Sequence, residues 1–81
     1  MLFDGIDYVV QHEVPFAGRP ERVLVWSPRE ELIATAVIDH NVEQIHVEYV
    51  DSTEDCSYNY FEFNDANDVE ELASWMIANS Y

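Results

Sequence analysis

From Glu30 to its last residue the chain carries thirteen aspartates and glutamates and not one lysine or arginine. The first 29 residues are nearly balanced, with Asp4, Asp7, Glu13 and Glu21 set against Arg19, Arg22 and Arg29, a net −1 that leaves −13 for the remainder. Self-repulsion at that density works against any compact state. A fold that tolerates it needs an offsetting gain, either hydration in concentrated salt or a cationic partner.

Eighty-one residues make one domain, and a chain of that size buries only about 60% of the surface it exposes when unfolded. With 48% hydrophobic and 14% aromatic residues it is too apolar to read as disordered, despite its charge. No apolar run approaches the ~18 residues of a membrane span. The opening "MLFDGIDYVV" sets two aspartates where a secretory leader requires cations, so the expectation is a folded cytoplasmic protein with no membrane association. The single cysteine, Cys56, excludes an internal disulfide, and Glu54 and Asp55 beside it disfavour a reactive thiolate.

Apolar, β-branched character predicts strands over 7–14, ending at Pro15, and over 22–26, with the Gly18 and Pro20 segment 16–21 as a loop. The stretch "SPREELIATAVIDHN" (27–41) satisfies two patterns. Ser27, Pro28 and Glu30 match an N-cap, a first-turn proline and a capping-box glutamate, and Leu32, Ile33, Ala36 and Val37 share a helical face. The β-branched Ile33, Thr35, Val37 and Ile38 equally suit a strand after a Pro28–Arg29 turn. We favour the helix. "VEQIHVEYVDS" (42–52) alternates, with Ile45, Val47 and Tyr49 on one face and Gln44, His46 and Glu48 on the other. After a turn at 52–55, "SYNYFEFN" (57–64) reads as a strand with Phe61 and Phe63 together. Asn67 and Glu70 suggest a capping box for a helix running to about Ala78, its buried face formed by Val69, Leu72, Ala73 and Met76. "EEL" recurs at 30–32 and 70–72, so the expected fold is α+β, a small antiparallel-rich sheet with two helices on one face (ββαββα). If 28–40 is a strand, the alternative is a five-stranded meander with one C-terminal helix. The terminal "ASWMIANSY" spreads Trp75, Met76, Ile77 and Tyr81 around that helix. We read it as wrapped by the core, with a homodimer as the alternative to a monomer.

The candidate chemistry is mostly exclusion. His12–Glu13 and His46–Glu48 lie on strands, but no histidine pair has helical i, i+4 spacing and no cysteine pair exists for zinc. "DSTED" (51–55) lacks the mid-loop glycine of a calcium loop. His40 suits a helix end or a turn. No carboxylate pair is set apart for acid–base work, no serine sits in a nucleophile elbow, and two glycines build no phosphate loop. Three arginines cannot track a phosphate backbone, so direct nucleic-acid binding is not expected. We expect no cofactor, no metal and no enzymatic activity.

What remains is "EYVDSTEDCSYNYFEFNDANDVEE" (48–71), with nine carboxylates, three tyrosines and two phenylalanines. Alternate strand residues stand ~6.7 Å apart on one face, close to the spacing of nucleic-acid phosphates. The residues expected to bind a partner are Glu43, Glu48, Asp51, Glu54, Asp55, Glu62, Asp65 and Asp68, with Tyr58 and Tyr60 adding contact area. In profile, this short, acidic, tyrosine-rich chain resembles the small phage-encoded inhibitors of host defence. These include anti-CRISPR proteins and DNA mimics such as uracil-DNA glycosylase inhibitor. The resemblance implies a non-enzymatic blocker in the host cytoplasm that covers the basic surface of a nucleic-acid-binding defence protein or nuclease. The alternatives are an acidic housekeeping domain of a halophile and an immunity protein or antitoxin against a basic nuclease.

Overall fold

Each strand of the main sheet pairs with its neighbour in the sequence. A computed structural model describes residues 1–80. β1 (Leu2–Phe3) and β2 (Ile6–Asp7) form a small hairpin of their own. β3 (Val9–Glu13), β4 (Glu21–Trp26), β5 (Leu32–Asp39), β6 (Gln44–Tyr49) and β7 (Asp55–Tyr58) follow as a five-stranded antiparallel meander in sequence order. Two single 3-10 turns, Tyr60–Glu62 and Ala66–Asp68, lead into the helix α1 (Val69–Ala78). The class is α+β, and the expectation of two helices is corrected to one. The meander with a C-terminal helix is the arrangement found.

The residues read as a helix start at 27–31 instead close the β4–β5 hairpin. The Ser27 hydroxyl accepts from the amides of Arg29 and Glu31, each at 3.2 Å. Glu30 takes a left-handed conformation (φ 64°), and the Ser27 amide donates to the Glu31 carbonyl. This is a turn with a left-handed residue in its third position, a common way to join strands. A serine oxygen capping nearby amides serves a helix start and a turn equally well, so the local pattern was degenerate. Pairing decides the matter. β5 runs between β4 and β6, and Ala34, Ala36 and Ile38 are buried while Thr35 and Val37 are not.

The core lies between one sheet face and α1. Val23, Val25, Ala34, Ala36, Ile38, Ile45 and Val47 meet Val69, Leu72, Ala73, Met76 and Ile77. Burial of Met76 and Ile77, with Trp75 half-buried edge-on against Tyr58, makes the terminal helix a core element. Tyr81 lies outside the described residues. Tyr49 fastens the far end of α1 by donating its hydroxyl to the Met76 carbonyl at 2.8 Å.

The strand expected over 57–64 stops at Tyr58. The Asn59 side chain accepts from the Phe61 amide and turns the chain into a 3-10 loop. Phe61 and Phe63 therefore part company, Phe61 exposed and Phe63 buried. The capping box ahead of α1 is Asp65 with Asp68 rather than Asn67 with Glu70. Asp65 accepts from the Asn67 amide, and Asp68 reaches back to the Asp65 amide.

Candidate functional site

Sheet register sorts the acidic candidates into groups. Glu48 and Asp55 are cross-strand neighbours on β6 and β7, and Asp51 and Glu54 lie in the turn between those strands, all four exposed. Glu43 occupies the opposite end of β6, in the β5–β6 turn, with a left-handed backbone (φ 54°). Six residues of β6 hold these ends about 17 Å apart. Glu62 and Asp68 form a third group with Glu71. The fields of these three reach the Tyr58 phenol, and Asp65 caps the turn beside them. The candidates thus lie at both ends of the sheet and along the approach to α1, rather than in one strip.

The two tyrosines of "YNY" have different surroundings. Tyr58 is 8% exposed, packed in the core against Trp75. Burial pushes its pKa up, and Glu71, Glu62 and Asp68 push it further. It offers no contact area to a partner, which corrects the expectation for that residue. Tyr60 is half-buried, stacked edge-on with both His40 and Phe61.

Tyr60 leads into a cluster that sequence reasoning missed. Its hydroxyl lies 2.6 Å from His40 Nδ1. His40 Nε2 lies 2.6 Å from Glu21 Oε1, and His12 Nε2 lies 2.6 Å from Glu21 Oε2. Each oxygen of Glu21 therefore accepts from one imidazole. The residues come from β3, β4, the β5–β6 turn and the loop after β7. They meet because Glu21, Ile38, Ile45 and Tyr58 stand in register across four strands on the helix-facing side. Glu21 ends that row as a carboxylate with only 12% of its side chain exposed. Burial is the largest influence on its pKa and raises it. The hydrogen bonds from His40 and His12 and their positive charge together outweigh burial and hold the pKa below 4.5. Phe63 closes over His12, ring edge to ring face at 6.2 Å. No local motif announces such a set, because its members are 9, 19 and 20 positions apart.

Hydroxyl, imidazole and carboxylate stand here in the order of a nucleophile, its base and the group that orients the base. The setting argues for a fastening instead. Tyr60 is wedged between two rings, and the neighbouring cleft of about 450 Å³ is lined by Phe16, Arg19, Glu21, Asp39 and His40 but not by Tyr60. Among the described residues, no three His, Cys, Asp or Glu side chains stand in metal-binding geometry. His40 lies in a turn, one of the two positions expected for it.

Ion pairing is sparse. Asp7 holds the N-terminal amine, Glu13 pairs with Arg22 across β3 and β4, and Glu21 takes the histidines. The other fourteen of the seventeen acids have no ion pair among the described residues. All fourteen are exposed except Asp39 and Asp68, which are half-buried. Comparison with protein-family models, with characterised proteins and with solved structures finds no match for the chain.

Proposed function

We propose that this is a non-enzymatic binding protein that covers the basic surface of a nucleic-acid-binding protein, as an anti-defence inhibitor of the anti-CRISPR or DNA-mimic kind would in its host's cytoplasm. The observation that supports this reading is the fourteen acids without an ion-pair partner, held by a rigid sheet and helix. Ordinary solvated faces mix both signs of charge, and this one leaves the matching sign to come from outside. Because the acids occupy several sides, they favour a broad negative field that steers and envelops a basic partner over a single phosphate-like row.

The test is capture of purified basic nucleases and nucleic-acid-binding proteins on the immobilised protein. A true partner binds at low salt, loses affinity steeply as salt rises and releases its DNA or RNA. Reversal to lysine at Glu48, Asp51, Glu54, Asp55 and Glu62 should weaken capture far more than reversal at Asp4 and Asp7. Binding that is indifferent to salt and to both sets of reversals contradicts the proposal.

The spread of acids over several sides favours one further reading, a domain whose carboxylates keep it hydrated in molar salt. It differs in needing that salt to fold.

A further inference from the structure

Both strongly exposed phenylalanines sit at one end of the sheet. Phe16 is 76% exposed and Phe61 69%. β3, β5 and β7 end there, and β4 and β6 begin there. Single exposed apolar residues are ordinary. These two are presented by shaped backbone. Phe16 bridges to Arg19 across a two-residue turn whose Ala17 and Gly18 are both left-handed (φ 51° and 82°). Phe61 sits on the 3-10 turn capped by Asn59. A shared cleft and a pair of ring contacts connect the two turns. The cleft joins the Phe16 turn to His40, His40 holds Tyr60, and Tyr60 packs edge-on against Phe61 at 5.4 Å. At the same end of the sheet stand Asp39, Glu43 and Glu62, and Arg19 lines the cleft from within the Phe16 turn. On the sheet face away from α1, by contrast, the exposed residues are mostly polar, among them Gln11, His46, Glu48 and Ser57, and Leu24 at its centre is only 7% exposed.

We propose that this turn end, centred on Phe16, Tyr60 and Phe61 and rimmed by Asp39, Glu43 and Glu62, is the docking face, and that its occupant is a protein segment in which basic side chains alternate with apolar ones. The inference rests on the reading of the protein as a binder of basic partners. It adds where contact is made and why charge alone is insufficient. The carboxylates draw in a cationic segment, and the rings give its apolar side chains a dry surface, since interface hot spots are aromatic and central with charge at the rim. The cleft beside Phe16 carries the carboxylates of Glu21 and Asp39 in its wall and suits the stem and head of one long basic side chain.

Two synthetic peptides of equal charge test this, one alternating lysine with leucine and one alternating lysine with serine. The readout is amide shift perturbation in the folded protein, together with titration. The lysine–leucine peptide should perturb 15–19, 40–43 and 60–62 and bind at least about tenfold tighter than the serine version. The double variant Phe16→Ser, Phe61→Ser should remove that advantage with at most a small fall in Tm, because both rings are mostly exposed and only the edge contact of Phe61 with Tyr60 is lost. Arg19→Ala should strengthen binding several-fold by removing a competing cation. Equal binding of both peptides, or shifts confined to the β6–β7 turn, overturns the docking face while leaving the basic-partner reading intact. Failure of both peptides to bind at low salt overturns both.

Discussion

Glu21 carries more structure than any other charged residue in the protein. Only 12% of its side chain is exposed, and it sits under that cover with an imidazole on each oxygen. Removing it would leave two ring N–H groups short of an acceptor, at a cost of about 1–3 kcal/mol for a partly buried pair. Its pKa is depressed relative to 4.5, which fixes the direction of the pH effect. The stabilisation from the ionised carboxylate is complete above the unfolded value and disappears as pH falls through the lower folded value. Glu21→Gln should therefore be less stable than the parent near neutrality, and the gap between the two should close as pH drops below about 4.5. Paired thermal melts across that range check it; a constant gap would mean that the carboxylate's charge is irrelevant. The same cluster means that Tyr60, half-buried, can meet a partner through its ring but not through its hydroxyl. Its hydroxyl is already committed to His40 at 2.6 Å.

At the scale of elements, the turns decide the fold. Glu30 closes the β4–β5 hairpin with φ 64°, a conformation that strains a side-chain-bearing residue and suits glycine. Glu30→Gly should relieve that strain and remove one uncompensated charge. The greater freedom of glycine in the unfolded chain opposes this, leaving a net stabilisation of about 0.5–1 kcal/mol. In a domain of this length that is a rise in Tm of a few degrees. A Tm that falls would show the turn to be held by contacts of the Glu30 side chain. These turns also mark how far the sequence could be read. β6 was legible because Ile45 and Val47 alternate with Gln44, His46 and Glu48, and α1 because Val69, Leu72, Ala73 and Met76 follow a helical stripe. Both patterns come from one buried face and need no knowledge of the partner element. β5 was not legible as a strand alone, because Ser27, Pro28 and Glu30 open either structure and only pairing with β4 and β6 decides. The Asp4–Gly5 turn, both residues left-handed, is too short a signal to stand out between strands of two residues. The site was the least legible part. The carboxylates could be counted, but their division between the two ends of the sheet depends on register. Glu21, His12, His40 and Tyr60 are unremarkable until four segments converge.

For the molecule as a whole, the governing quantity is a net charge of −14 on a domain with very few internal ion pairs. Exposed charges separated by more than a Debye length, ~10 Å at about 0.1 M salt, cease to feel one another. Added sodium chloride should therefore raise Tm steadily from a protein already folded in dilute buffer, with most of the gain complete by a few tenths molar. Circular dichroism melts over a salt series check this. A chain that is unfolded in dilute buffer and gains structure only at molar salt would instead favour the halophile reading. The meander carries a consequence of another kind. Since each strand finds its mate one short loop away, the sheet can zip together hairpin by hairpin as chain emerges. α1 alone follows all the strands and can seal β3 and β4 only after the whole sheet has been made. Until the helix arrives, the whole inner face of the sheet stands open to water. The acids that crowd the chain between β5 and α1 are then what keeps nascent copies from sticking to one another.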